Sequence, residues 1–117
     1  MADLNFAGSY DGLHLPYSPE AEQAVLGAII LESNTFDKVV DILKSPDYFY
    51  VSLHKLIFAQ MQEMVGLGLN IDFVTLLERL KQNKAFDEST GKSYLFDLVD
   101  NCPSISNAEE YAKIIAE

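Results

Sequence analysis

The sequence contains few side chains of the types that carry out chemistry, and none stands in a catalytic pattern. The two histidines, His14 and His54, lie in separate segments, and residue 51 is a valine, so the Glu-x-x-His pattern of di-metal helical bundles is missing. The single cysteine, Cys102, has no C-x-x-C partner. Neither G-x-x-x-x-G-K-[ST] nor G-x-G-x-x-G, the glycine patterns that hold nucleotide phosphates, occurs. The sequence therefore predicts no catalytic, cofactor-binding or metal site.

Paired carboxylates are the remaining candidates for acid–base chemistry. Glu109 and Glu110 are adjacent, and Asp97 and Asp100 stand three residues apart. Both pairs fall among predicted helix caps and solvent-facing positions, where acidic side chains are expected in any case. We therefore interpret them as structural.

Two further features are explained by their positions in the predicted hydrophobic core. Met61 and Met64 could form an adaptable binding groove, but at helical spacing beside apolar residues they are predicted to be core. His54 falls on the same apolar face, where a lone histidine is typically a hydrogen-bonded core residue rather than a ligand.

The charge balance argues against nucleic acid as a direct partner. The chain has 117 residues, with 18 acidic and 8 basic side chains and a formal net charge of −10. Affinity for nucleic acid comes from lysines and arginines that displace counterions from phosphates. Arg79 is the only arginine and the lysines are scattered singly. We expect no direct binding of DNA or RNA.

The elements begin with a helix that has almost no polar face. Ser18 is a good N-cap, Pro19 suits the first helical position, and Glu20 and Glu22 favour the positive helix end. The run from 24 to 31 is apolar on nearly every side, yet far shorter than the ~20 residues that cross a bilayer. The helix is therefore predicted to be surrounded by protein, with Gly27 allowing another helix to approach closely.

The rest of the chain predicts five more helices and no strand. An Asn34 cap opens one over 35–43, and Ser52 begins the next, through residue 65. Asp72 caps the fourth, "DESTGKS" is expected to be a loop with a turn at Gly91, and "YLFDLVDN" forms the fifth. An S-x-x-E box at 106–109 opens the sixth. The fold class is all-α, a compact orthogonal bundle of about six short helices, preceded by a flexible arm at 1–15.

The order of several motifs resembles a known family. These are "YSPEAEQAVLGAIIL", "FYVSLHKLIFAQM", "NIDFVTLLERL", "GKSYLFDLV" and "PSISNAEEYAKII". Together they resemble the N-terminal domain of the bacterial replicative DNA helicase, DnaB type, over residues 16–117. Two departures are small: Leu15 precedes Pro16 where the family has a second proline, and Thr90 precedes Gly91 where it often has two glycines.

The resemblance implies a hexameric, ATP-driven helicase whose motor, with its ATP and Mg²⁺, lies in a separate domain. The N-terminal domains would form a collar, pair with one another and dock the primase. A helicase loader is a further partner the family allows, and the location would be the cytoplasm, without contact with a membrane. The chain matches the globular part and ends about where the family's helical hairpin begins. We expect no catalysis from these residues.

Primase docking near "GKSYLFDLV" makes Tyr94 and Phe96 the predicted partner-binding residues. Tyr94 stands early in the predicted fifth helix, where its ring could meet a partner while its hydroxyl stays in water; packing on Leu98 is the alternative. Phe96 points away from the apolar face of that helix. The rival function is a free-standing acidic helical adaptor unrelated to replication, and a small hydrolase is a more remote one.

Overall fold

The computed structural model describes residues 18–117, and the regular secondary structure within that range is all helical. A short 3₁₀ helix, Pro46–Tyr48, precedes the third of six α-helices. The α-helices are α1 Pro19–Leu31, α2 Thr35–Val40, α3 Ser52–Gly66, α4 Phe73–Leu80, α5 Glu88–Asp100 and α6 Ala108–Ala116. The all-α prediction is confirmed. The arm predicted at 1–15 lies outside the described residues.

Helix α1 is the centre of the fold, as its sequence predicts. It contacts α2, α3, α5 and α6, and all but its ends and Gln23 is buried. The Ser18 hydroxyl accepts a hydrogen bond from the Ala21 N–H and caps the helix. A Cβ on Gly27 would collide with the Leu98 carbonyl oxygen of α5. Glycine is therefore required here because two helix backbones meet.

The predicted loop before α5 is wrong. Residues 88–93 are the first turns of α5, because Asp87 caps the helix by accepting a hydrogen bond from the Ser89 N–H. Gly91 makes no turn: it is buried within the helix under the ring of Phe86, which a Cβ would strike. The glycine serves packing rather than chain reversal.

Several predicted boundaries also need correction. Helix α2 ends at Val40, although Leu43 is still buried after a turn, and the Asn34 side chain forms no cap hydrogen bond. The S-x-x-E box does not form, because the Ser106 hydroxyl bonds to Ser104 and α6 starts later, after Asn107. Helix α3 extends one residue beyond the predicted end at 65, to Gly66.

Candidate protein-interaction site

A buried histidine links three helices through its two ring nitrogens. His54, near the start of α3, is 1% exposed. Its Nδ1 lies 2.7 Å from Oε1 of Glu22 in α1, and its Nε2 lies 2.6 Å from the Tyr94 hydroxyl of α5. The His54 and Tyr94 rings are also stacked, with centroids 5.8 Å apart. The prediction that His54 is a hydrogen-bonded core residue is confirmed.

Glu22 supplies the acceptor that the start of α3 lacks. Val51 is the N-cap of α3 and its side chain makes no cap hydrogen bond. The Glu22 carboxylate accepts hydrogen bonds from the backbone N–H groups of Tyr50, at 2.7 Å, and of Val51, at 3.3 Å. A carboxylate is favourable there because a helix N-terminus carries partial positive charge. Glu22 therefore holds the start of α3 against α1.

One assignment of protons satisfies every group in this network. Burial lowers the pKa of His54, and the hydrogen bond and charge of Glu22 offset this only in part. Neutral His54 then donates from Nδ1 to Glu22 and accepts at Nε2 from the Tyr94 O–H. The Tyr94 oxygen in turn accepts from the Gln23 amide, at 3.0 Å. The hydroxyl of Tyr94 is thus fixed by two neighbouring helices.

Tyr94 stands between two clefts on the surface. The first, which we call the acidic cleft, has a volume of about 280 Å³. The acidic cleft is lined by Glu20, Gln23, Ala24, Tyr94, Asp97, Leu98, Asn101 and Pro103. The second, the apolar cleft, has a volume of about 460 Å³ and is lined by Ser52, Leu53, Leu56, Ala85, Phe86, Asp87, Thr90, Gly91 and Tyr94. Tyr94 is the residue common to both.

The two predicted partner-binding residues do not share a surface. Tyr94 is half-buried and faces α1 and α3. Phe96 is 47% exposed and its ring packs on Phe73 of α4, with centroids 4.5 Å apart. The Tyr94 hydroxyl is also held by protein groups, because it bonds to His54 and to Gln23. Leu98, the alternative packing partner, lines the acidic cleft together with Tyr94.

The other chemical candidates are not brought together. The side chains of Asp97, Asp100, Glu109 and Glu110 are exposed. Met61 and Met64 are fully buried core residues, as predicted. Cys102 is half-buried, and burial raises the pKa of its thiol. His14 lies outside the described residues.

Glu22 is the site residue that the sequence reasoning missed. The sequence predicts only a place in the first turn of α1, whereas the structure buries Glu22 to 1% exposure. A signal was available, because Glu22 stands four residues before Leu26 and seven before Ile29, on a buried stripe of the helix. The predicted buried histidine, His54, also needs a hydrogen-bond acceptor, and a buried glutamate can supply one.

Two general features of the described residues complete the geometry. No helix within 18–117 is long and apolar enough to cross a membrane. No group of three or more histidine, cysteine, aspartate or glutamate side chains in that same range is arranged to hold a metal ion.

The fold and sequence have clear relatives. The family model of the DnaB-like helicase N-terminal domain matches residues 14–117. The replicative DNA helicase DnaB of Pasteurella multocida is 37% identical over 106 residues, which are 91% of this chain and 22% of that protein. The DnaB of Geobacillus stearothermophilus is 39% identical over 102 residues, covering 87% of this chain and 22% of that protein. The chain thus spans about a fifth of the length of these relatives.

A solved structure agrees with these matches. The crystal structure of the N-terminal domain of DnaB helicase from Mycobacterium tuberculosis superposes with a TM-score of 0.80 at 31% sequence identity. The alignment covers 86% of this chain and 72% of that one. The helical fold and the sequence match agree, and the chain belongs to the family of DnaB-like helicase N-terminal domains.

Proposed function

We propose that the chain is the N-terminal collar domain of a hexameric, ATP-dependent replicative DNA helicase in the cytoplasm. Its role is to pair with other subunits and to dock the primase, and it performs no catalysis itself. ATP and Mg²⁺ belong to a motor domain outside these 117 residues, and a helicase loader is a further candidate partner. The family match and the names of the relatives support this assignment over a free-standing adaptor.

The reading frame of the gene separates the helicase domain from the adaptor. A helicase requires that the frame continue after residue 117 into a helical hairpin and a domain with a phosphate-binding loop. A stop codon at that point would overturn the helicase proposal in favour of the adaptor.

The position of Tyr94 between the acidic cleft and the apolar cleft is the observation that carries the docking proposal. A binding partner can contact the Tyr94 side chain from both of the clefts beside it. Partly buried aromatic residues are also frequent anchors of protein interfaces. Because the Tyr94 hydroxyl is fixed by His54 and Gln23, the ring is held in one orientation before binding. Preorganisation of this kind lowers the entropic cost of association.

A pair of substitutions isolates the ring from the hydroxyl. Tyr94→Ala and Tyr94→Phe both remove the bond to His54, but only Tyr94→Ala removes the ring. In the full protein that the gene encodes, Tyr94→Ala should weaken binding of the primase C-terminal domain by about thirtyfold, the equivalent of ~2 kcal/mol. Tyr94→Phe should bind within about threefold of the parent. Calorimetry on variants shown to be folded by circular dichroism measures both.

Phe96→Ala tests the second predicted residue on its own surface. The rings of Phe96 and Phe73 present apolar area on the α4 side of α5. If Phe96→Ala weakens binding of the primase domain and Tyr94→Ala does not, the docking site lies on the α4 side instead. Unchanged affinity in Tyr94→Ala and in Phe96→Ala would remove α5 from the docking surface altogether.

A further inference from the structure

The acidic cleft combines an apolar wall with two carboxylates and two side-chain amides whose oxygens can accept hydrogen bonds. Ala24, Leu98 and Pro103 give apolar surface, and the carboxylates of Glu20 and Asp97 lie at the same cleft. At about 280 Å³ it is smaller than the ~300–1,000 Å³ of pockets that enclose whole small-molecule ligands. A cleft of this volume is large enough to receive one long side chain.

Each of the two amide side chains of the cleft uses one N–H within the chain and keeps its oxygen as an acceptor. Gln23 donates from its amide nitrogen to the Tyr94 hydroxyl, and Asn101 donates from its amide nitrogen to the Asp97 backbone carbonyl, both at 3.0 Å. The amide oxygens of these two residues remain to accept. Together with two carboxylates, they suit a guest that carries several N–H donors and a positive charge.

The carboxylates of the cleft differ from the paired carboxylates elsewhere on the surface. Lysine and arginine side chains accompany Glu63, Glu78, Glu88 and Glu110. Within residues 18–117 no cation within ion-pair distance accompanies either carboxylate of the acidic cleft, and no lysine or arginine lines it. Asp37 and Glu109 have no cation partner in that range either, so what distinguishes Glu20 and Asp97 is that both line one cleft with an apolar wall. A positive charge that fills this cleft would come from another molecule.

We propose that the acidic cleft receives a lysine or arginine side chain of the docked primase, with its methylene stem on the apolar wall and its charged head between Glu20 and Asp97. The inference rests on the primase docking proposed above. Long basic side chains are suited to a site that is apolar along one wall and acidic at the rim. The chain's own first 17 residues carry Asp3 and Asp11 and no lysine or arginine, so they lack the complementary side chain.

Charge removal without change of shape tests the cleft. Asp97→Asn and Glu20→Gln keep the size of each side chain, and Asp97 lies in the last turn of α5, where loss of a negative charge does not weaken the helix. Each should reduce the affinity of the primase C-terminal domain by about fivefold to tenfold at low salt. The difference should shrink at high salt, because screening weakens partly exposed charge pairs. Glu109→Gln and Asp37→Asn, exposed on α6 and α2, are the matched controls.

Charge reversal identifies the guest. Asp97→Lys should abolish binding, and one lysine or arginine of the primase domain, when changed to glutamate, should restore it. Cleft and control variants that bind like the parent, or that lose affinity equally, would overturn the cleft proposal while leaving primase docking in place. A parent protein that fails to bind the primase domain would instead overturn the docking proposal, and the cleft proposal with it.

Discussion

Tyr94→Phe removes a single hydroxyl and should cost measurable stability. The substitution keeps the ring but leaves Nε2 of His54 without its partner, at a position where the histidine is 1% exposed. An unsatisfied buried polar group costs ~1–3 kcal/mol, and the partial exposure of Tyr94 favours the lower half of that range, about 1–2 kcal/mol. For a chain of this size ~4 °C of melting temperature corresponds to 1 kcal/mol, so the loss should be about 4–8 °C.

A double-mutant cycle makes this test specific. The variants are Tyr94→Phe, His54→Gln and the two combined, each measured by urea unfolding at neutral pH. The coupling free energy between the two positions should be ~1 kcal/mol, as expected for residues in one network. Tyr48→Phe is the control, because its exposed hydroxyl has no hydrogen-bond partner among residues 18–117. Coupling below ~0.3 kcal/mol would refute the hydrogen bond between His54 and Tyr94.

Three further outcomes follow from the same structure. Burial lowers the pKa of His54 below its ordinary value of 6.5, so the unfolded chain binds a proton at this residue at higher pH than the folded chain does. The free energy of unfolding should therefore be full above about pH 6.5 and fall as the pH drops below it, and His54→Gln should remove this slope in urea unfolding. A flat profile would contradict a neutral buried histidine. Gly27→Ala should lower the free energy of unfolding by ~1–3 kcal/mol, because the added Cβ collides with the Leu98 carbonyl. In the control Gly66→Ala the added Cβ contacts no neighbouring element among residues 18–117, so this variant should be neutral or stabilising. Equal denaturation midpoints for the two variants would contradict the close contact of α1 and α5. Single-stranded DNA should bind no tighter than ~100 μM at physiological salt, because the one arginine is already paired with Glu63, and a salt-sensitive micromolar affinity by fluorescence anisotropy would contradict this.

The centre of the fold was predictable because its signal is local and redundant. In α1 the cap, the proline and an apolar run that leaves no polar face all indicate the same helix, and the structure has it at Pro19–Leu31. Gly27 added a tertiary prediction, since a mid-helix glycine costs ~1 kcal/mol unless a neighbour needs the space. The structure confirms that neighbour as the backbone of α5.

The start of α5 was missed because tertiary packing overrode a turn-like composition. "DESTGKS" is rich in residues that favour turns, yet Asp87 caps a helix and Gly91 accommodates the ring of Phe86. The failure of the S-x-x-E box is similar, since Ser104, two residues away, competes for the Ser106 hydroxyl. A local sequence pattern shows that a turn or a cap is possible, but it does not show whether tertiary packing or a neighbouring hydroxyl will favour another arrangement.

The network of Glu22, His54 and Tyr94 connects the core of the fold to the proposed docking surface. Replacing buried polar groups by apolar ones of similar shape is often neutral or stabilising, so a network of this kind is weak evidence for stability. Its geometry has a more specific consequence. Glu22 fixes the start of α3 on α1, and His54 then fixes the Tyr94 ring of α5. Residues of α1, α3 and α5 also line the clefts beside that ring, so the same hydrogen bonds that set the register of three helices set the shape that a partner would meet.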